Sequence, residues 1–326
     1  MTASDAARSD VAAIDIVVNL WTAEANAIRP KRDTFFGQKM RVPDDTLGDV
    51  SLDDLLSRMD AAGTERAFLV ATRVGRLGHP ACYHIPYGLV AEAVGRHPDR
   101  FSAIAGIDPY DGMRGVKALE RAVRDDGFIG AHTYPHWFEL APDHAKWYPF
   151  YAKCAELGVP VQMQVGQSMI YDPSYPLRSV GRPITLDPVA CDFPELAVVG
   201  IHLGVPWVDE MIAMAWKHDN VFIGSDAHSP RYWPESFKHY VNTYGQDKVM
   251  FGTDFPVLGL ERARREVTAL GLRPEAERKL LRDNAVRVYG LCAVLKLRCA
   301  EVSRRSTRAR CTTEKPVGPF RRPGPS

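Results

Sequence analysis

The strongest constraint on the fold of this chain is a pattern repeated eight times: a short, continuous apolar run, then a stretch with helical spacing. The runs are Ala12–Leu20, Arg66–Thr72, Phe101–Ile107, Phe128–Thr133, Val159–Val165, Ala197–Leu203, Asn220–Ser225 and Lys248–Thr253. A short run without polar alternation suits a strand buried on both faces, as in a parallel sheet. Ser51–Ala62 is a helix by its end signals, with Ser51 as N-cap, Asp53 and Asp54 in the first turn and Gly63 as the stop. Eight strand–helix units in just under 300 residues favour a closed barrel over an open sheet. No GxGxxG or GxxxxGKS follows the first strand, which weighs against nucleotide-binding folds. The predicted fold is α/β, a single (β/α)₈ TIM barrel with long loops after strand one (Trp21–Val50) and strand five (Gln167–Ile184).

Charge sets the expected boundaries. The 326 residues carry 41 Lys+Arg and 40 Asp+Glu, yet nine of the basic residues and only two acidic ones lie from Ala293 onward. The remainder is mildly acidic, which argues against a nucleic-acid partner. We expect an N-terminal extension over 1–11, the barrel over 12–292 and a basic, disordered tail over 293–326. There is no apolar run of spanning length and no secretory h-region, so no membrane partner is expected. Six cysteines without a CxxC pair read as reduced thiols, and the expected compartment is the cytoplasm.

In a barrel, chemistry collects where strands finish at the C-terminal face. The strand ends supply Asn19, Arg73, Asp108, His132 (then Tyr134 and His136), Gln164, His202, Ser225–Asp226 (then His228) and Asp254. Several imidazoles beside carboxylates at one mouth, in a chain with ten histidines, are the clearest functional signal. We expect a small-molecule substrate bound by Asn19, Arg73, Tyr134, His136, Gln164, Arg178 and His228, with the two long loops as walls. The arginines suit a substrate carboxylate, which a guanidinium meets with two parallel hydrogen bonds.

Five stretches carry a family resemblance: FPELAVVGIHLGVPW (Phe193–Trp207), DKVMFGTDFP (Asp247–Pro256), GFIGAHTYPHW, YPFYAKCAELGVPVQMQVG and RDNAVRVYGL. Together they resemble the amidohydrolase superfamily, in the group holding aminocarboxymuconate-semialdehyde decarboxylase, γ-resorcylate decarboxylase and the pyrone dicarboxylate lactonases. The resemblance spans about Ala13–Leu291. It implies that His202 assists proton transfer or binds metal, and that Asp254 holds a hydrolytic water or the metal. It also implies a homodimer.

The departures are specific. Where the group's first strand reads IDxHxH, this chain has Ile14-Asp15-Ile16-Val17-Val18-Asn19, and Gln164 stands for the fifth-strand histidine. Valine cannot bind a metal, and amide oxygens are weak ligands for a transition metal. The cofactor is therefore either none or one divalent metal, zinc or manganese, on a replacement set of His132, His202 and Asp254. Without metal, Asp254 serves as general base and His202 as its acid partner. The leading expectation is a hydrolase acting on a small cyclic or aromatic carboxylate, such as a lactone, ester or amide. The alternatives are a decarboxylase using the relocated metal and a non-catalytic ligand-binding barrel.

Overall fold

The computed structural model describes residues 11–30, 37, 39–42, 47–79, 82–169 and 176–291. The expected tail from 293 and nearly all of the expected extension over 1–11 lie outside the described residues. By compactness the chain divides after Tyr289. The barrel lies within the first unit.

Eight parallel strands make one sheet: β1 (Ala13–Asn19), β2 (Thr64–Ala71), β3 (Phe101–Gly106), β4 (Gly130–Thr133), β5 (Val161–Gln164), β6 (Val198–Ile201), β7 (Val221–Gly224) and β8 (Val249–Met250). Each pairs with the next in sequence order. The seam between β8 and β1 closes through Ile16 N–H to Phe251 O (3.1 Å), Asp254 N–H to Val17 O (2.9 Å) and Asn19 N–H to Phe255 O (3.0 Å). The barrel expected from the strand count is the fold observed.

Local signals act as the sequence suggests. Ser51 accepts from Asp54 N–H at the start of the helix Leu52–Ala62, and Gly63 ends it in the left-handed conformation. That helix buries Leu52, Leu55, Met59 and Ala62 against the barrel. β8 is shorter than the expected Lys248–Thr253 because its backbone turns to other partners. Phe251 N–H goes to Leu280 O, and Thr253 N–H goes to the Asp15 carboxylate (3.0 Å). The last helical stretch runs as Pro274–Arg278, a π turn at Lys279–Asp283 and Asn284–Val288. Asn284 donates from its amide to Val249 O (2.8 Å) and Gln246 O (2.7 Å), anchoring that helix to β8. Unanticipated features are the helix Ala23–Ile28 in the first long loop and a two-stranded ladder of Arg73–Val74 with Tyr83–His84. No helix among the described residues is long and apolar enough to cross a membrane.

Candidate active site

One pocket opens at the C-terminal mouth. Its floor includes Asn19, His132, Gln164, His202, His228 and Asp254, and aromatic walls come from Trp21, Tyr83, Tyr134 and Trp137. The two long loops contribute Met40, Gln167, Ser168 and Met169 to its rim. Alternation along each strand explains the floor, since only every second residue faces the barrel axis.

His202 is the hub. Its Nε2 lies 3.2 Å from Asp226 Oδ2 and 3.6 Å from Asp254 Oδ2. On the other side of the ring, the Gln164 amide nitrogen lies 3.2 Å from Nδ1. An amide nitrogen can only donate, so Nδ1 accepts and the imidazole proton sits on Nε2, between the carboxyl groups. Asp226 Oδ1 also accepts the His202 backbone N–H (3.1 Å). Asp254 Oδ1 accepts from the Asn19 amide over 2.9 Å.

The backbone here is unusual. His202 (φ 68°), Leu203 (φ 54°), Ala227 (φ 64°) and Asp254 (φ 54°) all lie in the left-handed region without being glycine. Each such residue costs of the order of 1 kcal/mol or more, and strain of this kind gathers where function fixes side chains.

Burial dominates the electrostatics. It pushes the Asp254 carboxyl well above the usual carboxylate range, reinforced by Asp226 and opposed by the Asn19 bond. Burial also raises Asp226 to about 6, against the His202 backbone bond that favours its charge. It lowers His202 and His132 each to about 3, and His228 to about 4. At neutral pH the mouth thus holds neutral imidazoles beside an Asp254 carboxyl that keeps its proton to higher pH than an ordinary carboxylate does.

The sequence-predicted residues divide into two groups. Asn19, Tyr134, Gln164, His228, His132, His202 and Asp254 meet at the pocket. Arg73, His136 and Arg178 are not among its lining. The Arg73 guanidinium lies 4.6 Å over the Tyr87 ring and 3.5 Å from Asp111. His136 Nδ1 accepts from Val180 N–H (3.0 Å), holding the fifth loop. Arg178 is exposed, 3.6 Å from Glu139. Asp226 was legible only as a strand end. Gln162 was missed, although its period-two relation to Gln164 puts both on one face of β5.

For a metal, the donors matter. Among the described residues the one His/Cys/Asp/Glu trio with mutually close ligand atoms is Asp187, Cys191 and His218, away from the mouth. His132, His202 and Asp254 do not come within one such sphere. The amides that replace the expected histidines point N–H groups at Asp254 Oδ1 and His202 Nδ1, taking up lone pairs a metal would need.

Fold and site define a class: a (β/α)₈ barrel with a carboxyl–imidazole centre at its C-terminal mouth. A family model described as Amidohydrolase matches residues 14–291, and the chain belongs to that family. Among characterised relatives, γ-resorcylate decarboxylase from Rhizobium radiobacter is 25% identical over 306 residues, which cover 73% of this chain and 87% of that one. An uncharacterized TIM-barrel protein from Bordetella bronchiseptica superposes with a TM-score of 0.68 at 24% identity, covering 85% of this chain and 98% of the other. The 5-carboxyvanillate decarboxylase of Novosphingobium aromaticivorans, complexed with manganese and 4-hydroxy-3-methoxy-5-nitrobenzoic acid, gives 0.65 at 17% identity, covering 89% and 98%. These relatives correct the leading functional expectation. The characterised relatives matched in sequence, γ-resorcylate decarboxylases, are decarboxylases rather than hydrolases.

Proposed function

We propose that the chain is a decarboxylase of a small aromatic carboxylate, with Asp254 as the acid that protonates the ring. The observation that carries this reading is the Asp254 carboxyl at the base of an aromatic-walled pocket, held by the Asn19 amide beside His202, in a chain similar to γ-resorcylate decarboxylase.

Decarboxylation of an electron-rich ring needs a proton at the carbon that bears the carboxylate. Asp254 delivers it, the bond from the ring to the carboxylate carbon breaks, and its electron pair returns to the ring as carbon dioxide leaves. Asp254 becomes a carboxylate and regains its proton from water. His202 positions the acid: its Nε2–H lies between Asp254 and Asp226 and meets the carboxylate that forms. Acid–base assistance of this kind is worth about 10²–10⁴ in rate. Trp21, Tyr83, Tyr134 and Trp137 offer the ring a flat apolar enclosure and exclude water.

Manganese accompanies the Novosphingobium enzyme, but the donor set here does not fit such an ion. Asn19 and Gln164 donate to the groups that would have to coordinate it.

The test is turnover of a hydroxybenzoate panel in deuterated water, read by carbon dioxide release and by deuterium at the former carboxylate carbon. Wild type should give labelled product, and Asp254→Asn should lose about 10²-fold or more. Absence of carbon dioxide across the panel would defeat the reading.

A further inference from the structure

The acid centre uses Asp254, His202 and Asp226, and leaves another fully buried imidazole of the same pocket unexplained. His132 is wholly inaccessible on β4 yet contributes to the pocket wall. Its state is fixed by Gln162. The Gln162 amide nitrogen donates to Ile16 O (2.7 Å) and to the Tyr289 hydroxyl (2.8 Å), using both of its hydrogens. The Gln162 oxygen is left facing His132 Nδ1 at 2.8 Å. An amide oxygen only accepts, so Nδ1 carries the proton and Nε2 of the neutral ring presents a bare lone pair.

That Nε2 is buried and has no hydrogen-bond partner among the described residues. Tyr134, tilted 33° to the ring with centroids 4.3 Å apart, packs against it. A buried acceptor without a donor is destabilising, and native structures keep one where something else completes it. A metal is a poor candidate, because no two other ligand groups lie close enough to share it with His132.

We propose that His132 is a specificity-determining residue whose Nε2 accepts a hydrogen bond from a hydroxyl on the ring bound at the mouth. This rests on the reading of the mouth as an aromatic-carboxylate site. Gln162 and Tyr289 act at one remove, as positioning residues that set the tautomer. A ring carrying fluorine in place of hydroxyl would bring one lone pair against another and be rejected. Gln164 Oε1 is a second unpartnered acceptor at the pocket, so the test separates the two.

The experiment is calorimetric titration of the full chain with 2-, 3- and 4-hydroxybenzoate and with the fluorobenzoates of matching position. At least one hydroxybenzoate should bind about tenfold more tightly than its fluoro partner. His132→Phe should erase that preference. Because a buried substitution on β4 can prevent folding, a second measurement uses wild type labelled with ¹⁵N at histidine. Its His132 Nε2 resonance should move on adding the preferred hydroxybenzoate and stay in place with the fluoro analogue. Equal affinities within every pair, with no Nε2 shift, would overturn the assignment while leaving the aromatic-carboxylate reading intact. A preference that survives in a folded His132→Phe protein would also overturn it, moving the acceptor to Gln164. Failure of all six probes to bind would overturn the reading of the mouth, and this inference with it.

Discussion

The Asn19 amide donates to Asp254 Oδ1 over 2.9 Å and to Phe255 O over 2.9 Å, so one side chain ties the end of β1 to the loop after β8. The bond joins the first and last strands of the barrel at the point where the acid sits. It also occupies a carboxylate lone pair that a bound cation would require.

Metal should therefore be dispensable to this protein. Protein purified without chelator is expected to hold well under one transition-metal ion per chain by mass spectrometry. Its melting temperature should not respond to chelator or to added manganese. About one ion per chain, with a fall in melting temperature on chelation, would show that the amides rearrange to admit it.

Stability should fall as pH rises from about 4 to about 7, and Asp15 should account for part of the slope. Burial raises its carboxyl from 3.8 to about 7, against hydrogen bonds from Thr253 and Val17 that favour the charge. The folded state holds a proton that the unfolded chain releases near its ordinary value. The stabilising contribution is thus complete below that value and is lost through about 7, an effect on the order of 4 kcal/mol. Asp15→Asn keeps an oxygen for the Val17 and Thr253 N–H groups and removes the titration. Urea unfolding at a series of pH values should show a shallower slope for the variant, and equal slopes would refute the assignment.

Gly106 ends β3 under another strand's backbone. A Cβ there would stand 2.1 Å from Ala71 O and 2.9 Å from Arg73 N, neither of which can swing aside as a side chain could. Gly106→Ala should destabilise the chain by about 3 kcal/mol, visible as a lower urea midpoint. A loss under about 0.5 kcal/mol would mean that β2 and β3 separate easily.

Asn284 should matter for folding although it is remote from the pocket. Asn284→Leu leaves the carbonyls of Val249 and Gln246 without their donor, at a cost of about 2 kcal/mol. Because β8 leads to Asp254, the variant should also show faster amide exchange at the β8–β1 seam. Unchanged exchange there would limit the role of Asn284 to the helix.

The strands and their order were legible because burial on both faces leaves a signature in each short run, and Ser51 and Gly63 marked helix ends by chemistry that acts within a few residues. Strand-end positions found Asn19, Gln164, His202 and Asp254 for the same reason: a barrel places its chemistry by chain position. Three of the predicted contacts did not reach the pocket. Arg73 lies in the short ladder with Tyr83–His84, His136 in the helical turn Pro135–Phe138 and Arg178 on the loop after β5. Neighbours distant in sequence, such as Asp111, Val180 and Glu139, decide their direction.

The sequence by itself determined the barrel, the family pattern and the replacement of expected histidines by Asn19 and Gln164. Only the tertiary structure decided what those replacements do. Whether an amide offers oxygen or N–H depends on which group stands opposite, and here Asp254 and His202 make both amides donors. The same holds for protonation: burial and the approach of Asp226 raise the Asp254 carboxyl above the ordinary carboxylate range. Gln162, 30 residues from His132, selects which imidazole nitrogen carries the proton. Hydrogen-bond direction and desolvation arise between residues far apart in the chain, and therefore only once the barrel has closed.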